Sequence, residues 1–185
     1  MAAARQVFAL HGFATATVDE IAEVAGVAKG TVYLYFPSKR DLFLATMREG
    51  VEELHAEAQR TIDAAGTAAA KIRAFVGVRL GYCDRNRDFF RIYYTEFASL
   101  SVRSSGERPE FQDLYDQQAK LLENVLADGI RAGEIRACDP RTTARLIYDL
   151  TRSAIAQHVL DPERPRGVVE STDLICNLIW RGVGC

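Results

Sequence analysis

Lys29, Gly30, Thr31, Tyr33 and Tyr35 stand within one short run of the chain and bring together an ammonium, a bare backbone, a hydroxyl and two phenols, with no acid among them. Groups of this kind hydrogen-bond to phosphate oxygens, sugars and base edges, which is the chemistry of nucleic-acid contact. Catalytic chemistry is absent by comparison. His11, His55 and His158 are far apart, and the chain has no HExxH, no GxSxG and no glycine-rich phosphate loop. Cys83, Cys138, Cys176 and Cys185 show neither a CxxC nor zinc-ligand spacing, so reduced thiols are expected. Adjacent acids such as Glu52 and Glu53 fall on different sides of a helix. The reading is a binding protein and not an enzyme, with no catalytic residue, no metal and no cofactor.

The elements that must position those groups are legible around them. Val18, Ile21, Ala22 and Ala25 recur at helical spacing, with Thr17 and Glu20 forming a capping box before them. Gly26 ends that helix, since glycine takes the left-handed conformation at low steric cost. Val27 is expected to fold back as the apolar contact after the cap. A second short helix, Ala28 to Phe36, turns Val32 and Phe36 inward and the polar run outward. Two helices joined this tightly through a glycine cross steeply, as a helix-turn-helix does. Ahead of them, Ala2 to Leu10 reads as a helix that His11 and Gly12 end, with Phe13 tucked into the small core. That helix has almost no lead-in, and an arm ahead of it, of the kind that often touches DNA, would fall outside this numbering.

Ser38 and Asp41 begin a long helix, Lys39 to Ile62, a rod of about 35 Å at ~1.5 Å per residue. Lys39 at its start opposes the helix dipole, an odd place on stability grounds and a sensible one beside a phosphate. Further helices are expected at 68–85, 88–102, 111–131, 140–160 and 168–181, and β-type alternation is nearly absent. The 88–102 helix is dense in aromatics: Phe89, Tyr93, Glu96 and Leu100 fall on one line, and Phe90, Tyr94, Phe97 and Ser101 on the next. A central core helix and a helix lining an apolar pocket both fit that pattern. A pocket would draw Phe75, Phe89, Phe90, Tyr93, Tyr94, Phe97, Phe111 and Tyr115 around a ligand, with phenols as its few polar groups. Arg85, Arg87 and Arg91 would suit an anionic tail such as an acyl-CoA or another carboxylate; a solvated charge cluster accounts for them equally well. The last two long helices are candidates for a four-helix dimer interface, through Arg145, Tyr148, Arg152, Ile155, Leu174 and Leu178.

Composition sets bounds on all this. The 185 residues are 48% hydrophobic and 26% charged with a net charge of −2, ordinary values for a globular protein and no global basic field. Up to Met47 the formal charges cancel, but three of the four cations lie between Lys29 and Arg40, so any DNA footprint is local. No apolar run approaches the roughly 18 residues of a membrane span, and the start lacks the basic lead of a secretory signal. A cytoplasmic protein without membrane contact is expected.

The run FALHGFATATVDEIAEVAGVAKGTVYLYFPSKRDLFLATM resembles the DNA-binding domain of the TetR family of bacterial one-component regulators, and GEIRACDPRTTARLI resembles the approach to that family's dimerising helix. The resemblance implies an all-α chain: a three-helix helix-turn-helix domain over residues 1–47, joined by a long helix to a larger helical domain, 48–185, for ligand binding and dimerisation. It implies that Thr17 and Lys39 meet phosphate. Lys29, Gly30 and Thr31 would face base edges, and Tyr33 and Tyr35 phosphates, sugars or a thymine methyl. Asp19 departs from the pattern, standing where some members carry a base-reading side chain. The implied function is a ligand-responsive repressor whose homodimer leaves a palindromic double-stranded operator when a small, largely hydrophobic effector binds. The alternative is a helical protein-interaction module that does not bind DNA.

Overall fold

The computed structural model describes residues 1–97, 112–161 and 167–183, with the side chains of Glu96, Phe97 and Val183 left aside. The helices run α1 Ala2–Thr15, α2 Val18–Ala25, α3 Lys29–Tyr35, α4 Lys39–Asp63, α5 Ala68–Arg85, α6 Arg87–Ile92, α7 Gln112–Arg131, α8 Pro140–Leu160 and α9 Val168–Val183, with a π-helical turn at Tyr93–Phe97. The fold is all-α, as expected. Two compact units are formed, Met1–Glu53 with Asn86–Ser105, and Leu54–Arg85 with Gly106–Cys185. Helix α4 is continuous from one into the other. Among the described residues no helix is long and apolar enough to cross a membrane.

In the first unit, Phe8, Phe13, Phe43 and Phe89 form the core. Their rings meet at centroid distances from 4.9 Å (Phe43–Phe89) to 5.8 Å (Phe8–Phe13), mostly in tilted or edge-on geometries. Helix α2 starts on the expected capping box: the Thr17 hydroxyl accepts from the Glu20 amide, and the Glu20 carboxylate accepts from the Thr17 amide. It ends on Gly26 at φ +68°, and the Val27 amide donates back to the Ala22 carbonyl at 3.0 Å. That hydrogen bond forms, but the Val27 side chain remains exposed instead of folding back. Helix α1 also differs from expectation. Gly12, at φ +76°, breaks it, but one further turn follows to Thr15, closed by the Ala16 amide on the Gly12 carbonyl. The expected 88–102 helix is α6 followed by the wide turn, where the Thr95 hydroxyl donates to the carbonyls of Arg91 and Ile92; residues 98–102 lie outside the described ones.

The second unit packs α5 against α7, α8 and α9. Ile72, Phe75, Val76 and Leu80 of α5 and Leu114, Leu122, Val125 and Leu126 of α7 are buried. The Asp139 carboxylate caps α8 through the Thr142 amide at 2.9 Å, with Pro140 next, as the sequence indicated. Cys83 is a buried free thiol whose pKa burial pushes up to about 12, so it stays a protonated, inert packing group; Cys185 lies outside the described residues. At Gly129, α7 is closely approached: a Cβ there would stand 2.7 Å from Ile135 Cδ1 and 2.8 Å from Ala68 Cβ. Gly129→Ala should therefore lose stability. Overpacking costs about 1–3 kcal/mol, of which the helix propensity of alanine returns about 1 kcal/mol. A lower urea midpoint checks this; an unchanged or higher one would mean the contact relaxes freely.

Candidate functional site

The first unit gathers the sequence-predicted DNA-contacting residues around α3. Val32 is the buried anchor of this seven-residue helix, so the remaining positions are presented to solvent. Lys29, Gly30, Thr31, Tyr33 and Tyr35 are all exposed, Tyr35 at 74%. Leu34 is exposed at 83% on the same helix, an apolar side chain that no described residue covers. Gly30 has open space where a Cβ would be, so nothing among the described residues requires a glycine there. Two features temper the charge of this face. The Lys29 ammonium hydrogen-bonds the Asp19 carboxylate at 2.8 Å, and that bond raises the lysine pKa. Thr17 is exposed but holds Glu20 with both its amide and its hydroxyl, and those bonds keep the Glu20 carboxyl below its ordinary range.

Lys39 is placed differently from the sequence reading. Its Nζ donates to the carbonyls of Phe13 (2.7 Å), Ala16 (2.9 Å) and Ala14 (3.1 Å), and lies 4.8 Å from the centroid of the Phe13 ring. An ammonium has three donors, and all three are used. These carbonyls are at the end of α1, where orphan acceptors and the negative end of the dipole favour a cation. Lys39 thus ties the start of α4 to the end of α1, the two ends that bracket α2 and α3. The odd placement of a lysine at a helix N-terminus is explained within the chain, without a phosphate.

The proposed pocket aromatics are not gathered into one lining. Phe89 is buried against Phe43 in the first unit, and Phe90 is buried there too; the Tyr93 and Tyr94 rings meet edge-on at 5.6 Å. Phe75 is fully buried in the second unit, and Tyr115 packs edge-on against Tyr148 at 4.5 Å. The Phe97 side chain and Phe111 lie outside the described residues. The second unit does have an open cleft of about 640 Å³, but its lining is polar, with His55, Asp116, Lys120, Arg141 and Arg145 among its residues. Of the suggested anionic-tail arginines, Arg85 pairs with Glu57 at 3.1 Å and Arg91 with Asp88 at 3.4 Å, both on exposed surface where such a pair is worth little.

Sequence reasoning missed the most unusual group in the second unit. Arg79 of α5 is 4% exposed, yet among the described residues no carboxylate pairs with it. One guanidinium nitrogen donates to the side-chain oxygen of Gln118 on α7, itself buried. The guanidinium carbon lies 4.0 Å from the Tyr148 ring centroid and 5.2 Å from that of Phe75. Nε is buried with no acceptor. Each ring contact is worth about 0.5–2 kcal/mol and the amide hydrogen bond about 1.5–3 kcal/mol. Together they offset much of the several kcal/mol that removing an ion from water costs, but they leave the charge uncancelled. The signal was available: Phe75, Arg79 and Cys83 follow one another at i, i+4 on an apolar stripe, and Gln118 stands likewise between Leu114 and Leu122.

The predicted dimer residues divide. Tyr148 and Ile155 are buried within the second unit, whereas Arg145, Arg152, Leu174 and Leu178 are exposed. Helix α8 has a second apolar row, Leu146 and Leu150, that faces out, with Leu146 at 65% exposure; Leu178 of α9 is at 56%.

Comparison with known proteins settles the class. Residues 1–46 match the profile of the bacterial regulatory proteins of the tetR family, and residues 65–156 that of the tetracyclin repressor-like C-terminal domain. The fatty acid metabolism regulator protein of Bacillus subtilis is 23% identical over 182 residues, covering 98% of this chain and 92% of its own. The transcriptional repressor KstR of Mycolicibacterium smegmatis is 26% identical over 168 residues, covering 91% and 78%. Among solved structures, the regulator FadR from Bacillus subtilis, in complex with stearoyl-CoA, superposes at a TM-score of 0.77 with 24% identity over 96% of this chain and 94% of its own, a likeness of fold. The chain belongs to the tetR family of bacterial regulatory proteins. It is a ligand-responsive DNA-binding transcriptional regulator.

The latch gives Lys39→Met a specific signature. Leaving its carbonyl partners without a donor should cost about 1–3 kcal/mol of stability and weaken DNA binding by loosening α2 and α3. The slope of log affinity against log salt should stay unchanged, because the latch neutralises no phosphate. A slope reduced by about 0.9, the loss of one phosphate contact, would return Lys39 to the DNA surface.

Proposed function

We propose that this chain is a repressor that holds a palindromic operator as a homodimer and releases it when a small, largely hydrophobic effector binds. Residues 1–47 would carry DNA contact and 48–185 effector binding and dimerisation. The observation that carries the reading is the exposure of α3: Lys29, Gly30, Thr31, Tyr33, Leu34 and Tyr35 all face solvent around the single anchor Val32. Two such helices would enter successive major grooves about 34–36 Å apart. Lys29, Gly30 and Thr31 would read base edges there, with Thr17, Tyr33 and Tyr35 on the backbone, sugars or thymine methyls. On reaching DNA, Lys29 would exchange Asp19 for an acceptor on the operator.

Dimerisation is proposed through the outward row of Leu146, Leu150, Leu174 and Leu178 with Arg145 and Arg152 at its margin, in place of the inward-facing Tyr148 and Ile155. A row of this size on one unit is what a partner helix pair would cover. A fatty acyl compound as effector is supported by the relatives, one of them a fatty acid metabolism regulator and another seen with stearoyl-CoA. Release requires that the effector bind one conformation better than the other. The unbroken α4 is the covalent route by which a change in the second unit would reach α3. Such a regulator would work in the cytoplasm.

Three experiments test the reading. Fluorescence anisotropy with operator DNA should show affinity falling steeply with salt, and saturated or unsaturated acyl compounds should release the DNA; if no apolar molecule does so, the effector reading fails. Gly30→Ala should raise helix stability by about 1 kcal/mol while weakening operator binding, because only the DNA leaves no room for the methyl; unchanged affinity would remove Gly30 from the base-edge surface. Leu146→Glu with Leu178→Glu should give a sedimenting monomer of low operator affinity, whereas a persisting dimer would place the interface elsewhere.

A further inference from the structure

The Arg79 guanidinium is a buried cation held only by neutral groups. Gln118 gives it an amide oxygen, Tyr148 and Phe75 give it ring faces, and Nε has no acceptor. Three helices, α5, α7 and α8, contribute to this arrangement, and none contributes a carboxylate among the described residues. Aromatic faces and an amide orient a guanidinium but cannot cancel its charge, and the planar fork that remains matches two oxygens of one carboxylate. Tyr115, edge-on to Tyr148, holds the ring on which the guanidinium lies. Its phenol pKa is raised, first by burial, so it remains a neutral O–H.

We propose that Arg79 is the anchor for the anionic end of the effector, and that the effector is a free monocarboxylic acid with an apolar body. Gln118 orients the fork and Tyr148 backs it. The proposal rests on the preceding reading that an apolar small molecule is bound, and narrows its chemistry. A methyl ester or a CoA thioester presents a neutral carbonyl at the end of its chain and would leave Arg79 uncompensated, and the phosphates of the thioester stand far from that carbonyl. Binding therefore discriminates the acid from its neutral-ended derivatives.

The test uses the full chain with decanoate, methyl decanoate and decanoyl-CoA as probes, read by calorimetric titration, thermal unfolding and operator release. Wild type should bind decanoate more tightly than the other two by about 10- to 100-fold, the worth of a charge-assisted hydrogen bond. Arg79→Met should abolish that preference, and Arg79→Lys should retain part of it. Without ligand, Arg79→Met should unfold at the same temperature as wild type or higher, since an uncancelled buried charge gives way to a packed apolar chain. A ligand-free Arg79→Met that melts lower would make the guanidinium a net stabiliser of the core and overturn the proposal. So would equal or tighter binding of the ester or the thioester, or a preference that survives Arg79→Met. Operator release by all three probes alike overturns the anchor while leaving the effector reading intact. Decanoate binding through Arg79 without operator release overturns the effector reading and leaves the anchor intact. If none of the probes binds, both fall.

Discussion

The geometry of the DNA-binding unit turns on the destination of one ammonium. Helix α1 ends with carbonyls that lack a helical partner, and α4 begins two short helices later, after α2 and α3. Lys39 donates to Phe13, Ala14 and Ala16 at once and so joins the two ends of that excursion. The break at Gly12 matters here, because it turns the last stretch of α1 toward Lys39 and brings Phe13 onto Phe8 and Phe43. Ring packing supplies the burial and the lysine supplies the direction. Without a fixed junction, α3 would still be a helix, but its exposed face would have no defined orientation.

Local signals were the legible part of the sequence. Thr17 with Glu20, Gly26, Ser38 with Asp41, and Asp139 with Pro140 mark helix ends through interactions within a few residues, and each appears in the structure as read. The exposed face of α3 was legible for the same reason, since one anchor residue, Val32, fixes the rotation of a short helix. Long-range choices were not. Lys39 could satisfy a phosphate or a set of carbonyls some 25 residues away, and nothing in its own neighbourhood decides between them. Helix α8 has apolar residues on two rows, and periodicity cannot tell which row the chain buries. Tyr148 and Ile155 belong to the buried row, and Leu146 and Leu150 to the outward one. The aromatic run was ambiguous in the same way: Phe89, against Phe43, and Phe90 serve as core, whereas Tyr93 and Tyr94 are half-buried.

Three cations in this chain illustrate how differently a positive charge can be placed. Lys39 has every donor occupied by oxygen, so it stabilises the fold and has little left to offer a ligand. Lys29 is paired with Asp19 on an exposed surface, where solvent screens the attraction and the pair is worth little. Such a pair can be given up to a stronger acceptor at small cost, and while it lasts it keeps a near-neutral surface from binding anions indiscriminately. Arg79 has neither full occupancy nor solvent. Its partners make burial tolerable without making the site neutral, which is a stable state that an anion can still improve. A regulator needs both of the last two: a surface charge that yields when DNA arrives, and an interior charge that is better satisfied with ligand than without. On the proposed reading the electrostatic deficit at Arg79 supplies affinity for a ligand that carries the missing charge, and ligand control follows where the conformation that holds DNA and the one that releases it differ in how well they present that guanidinium.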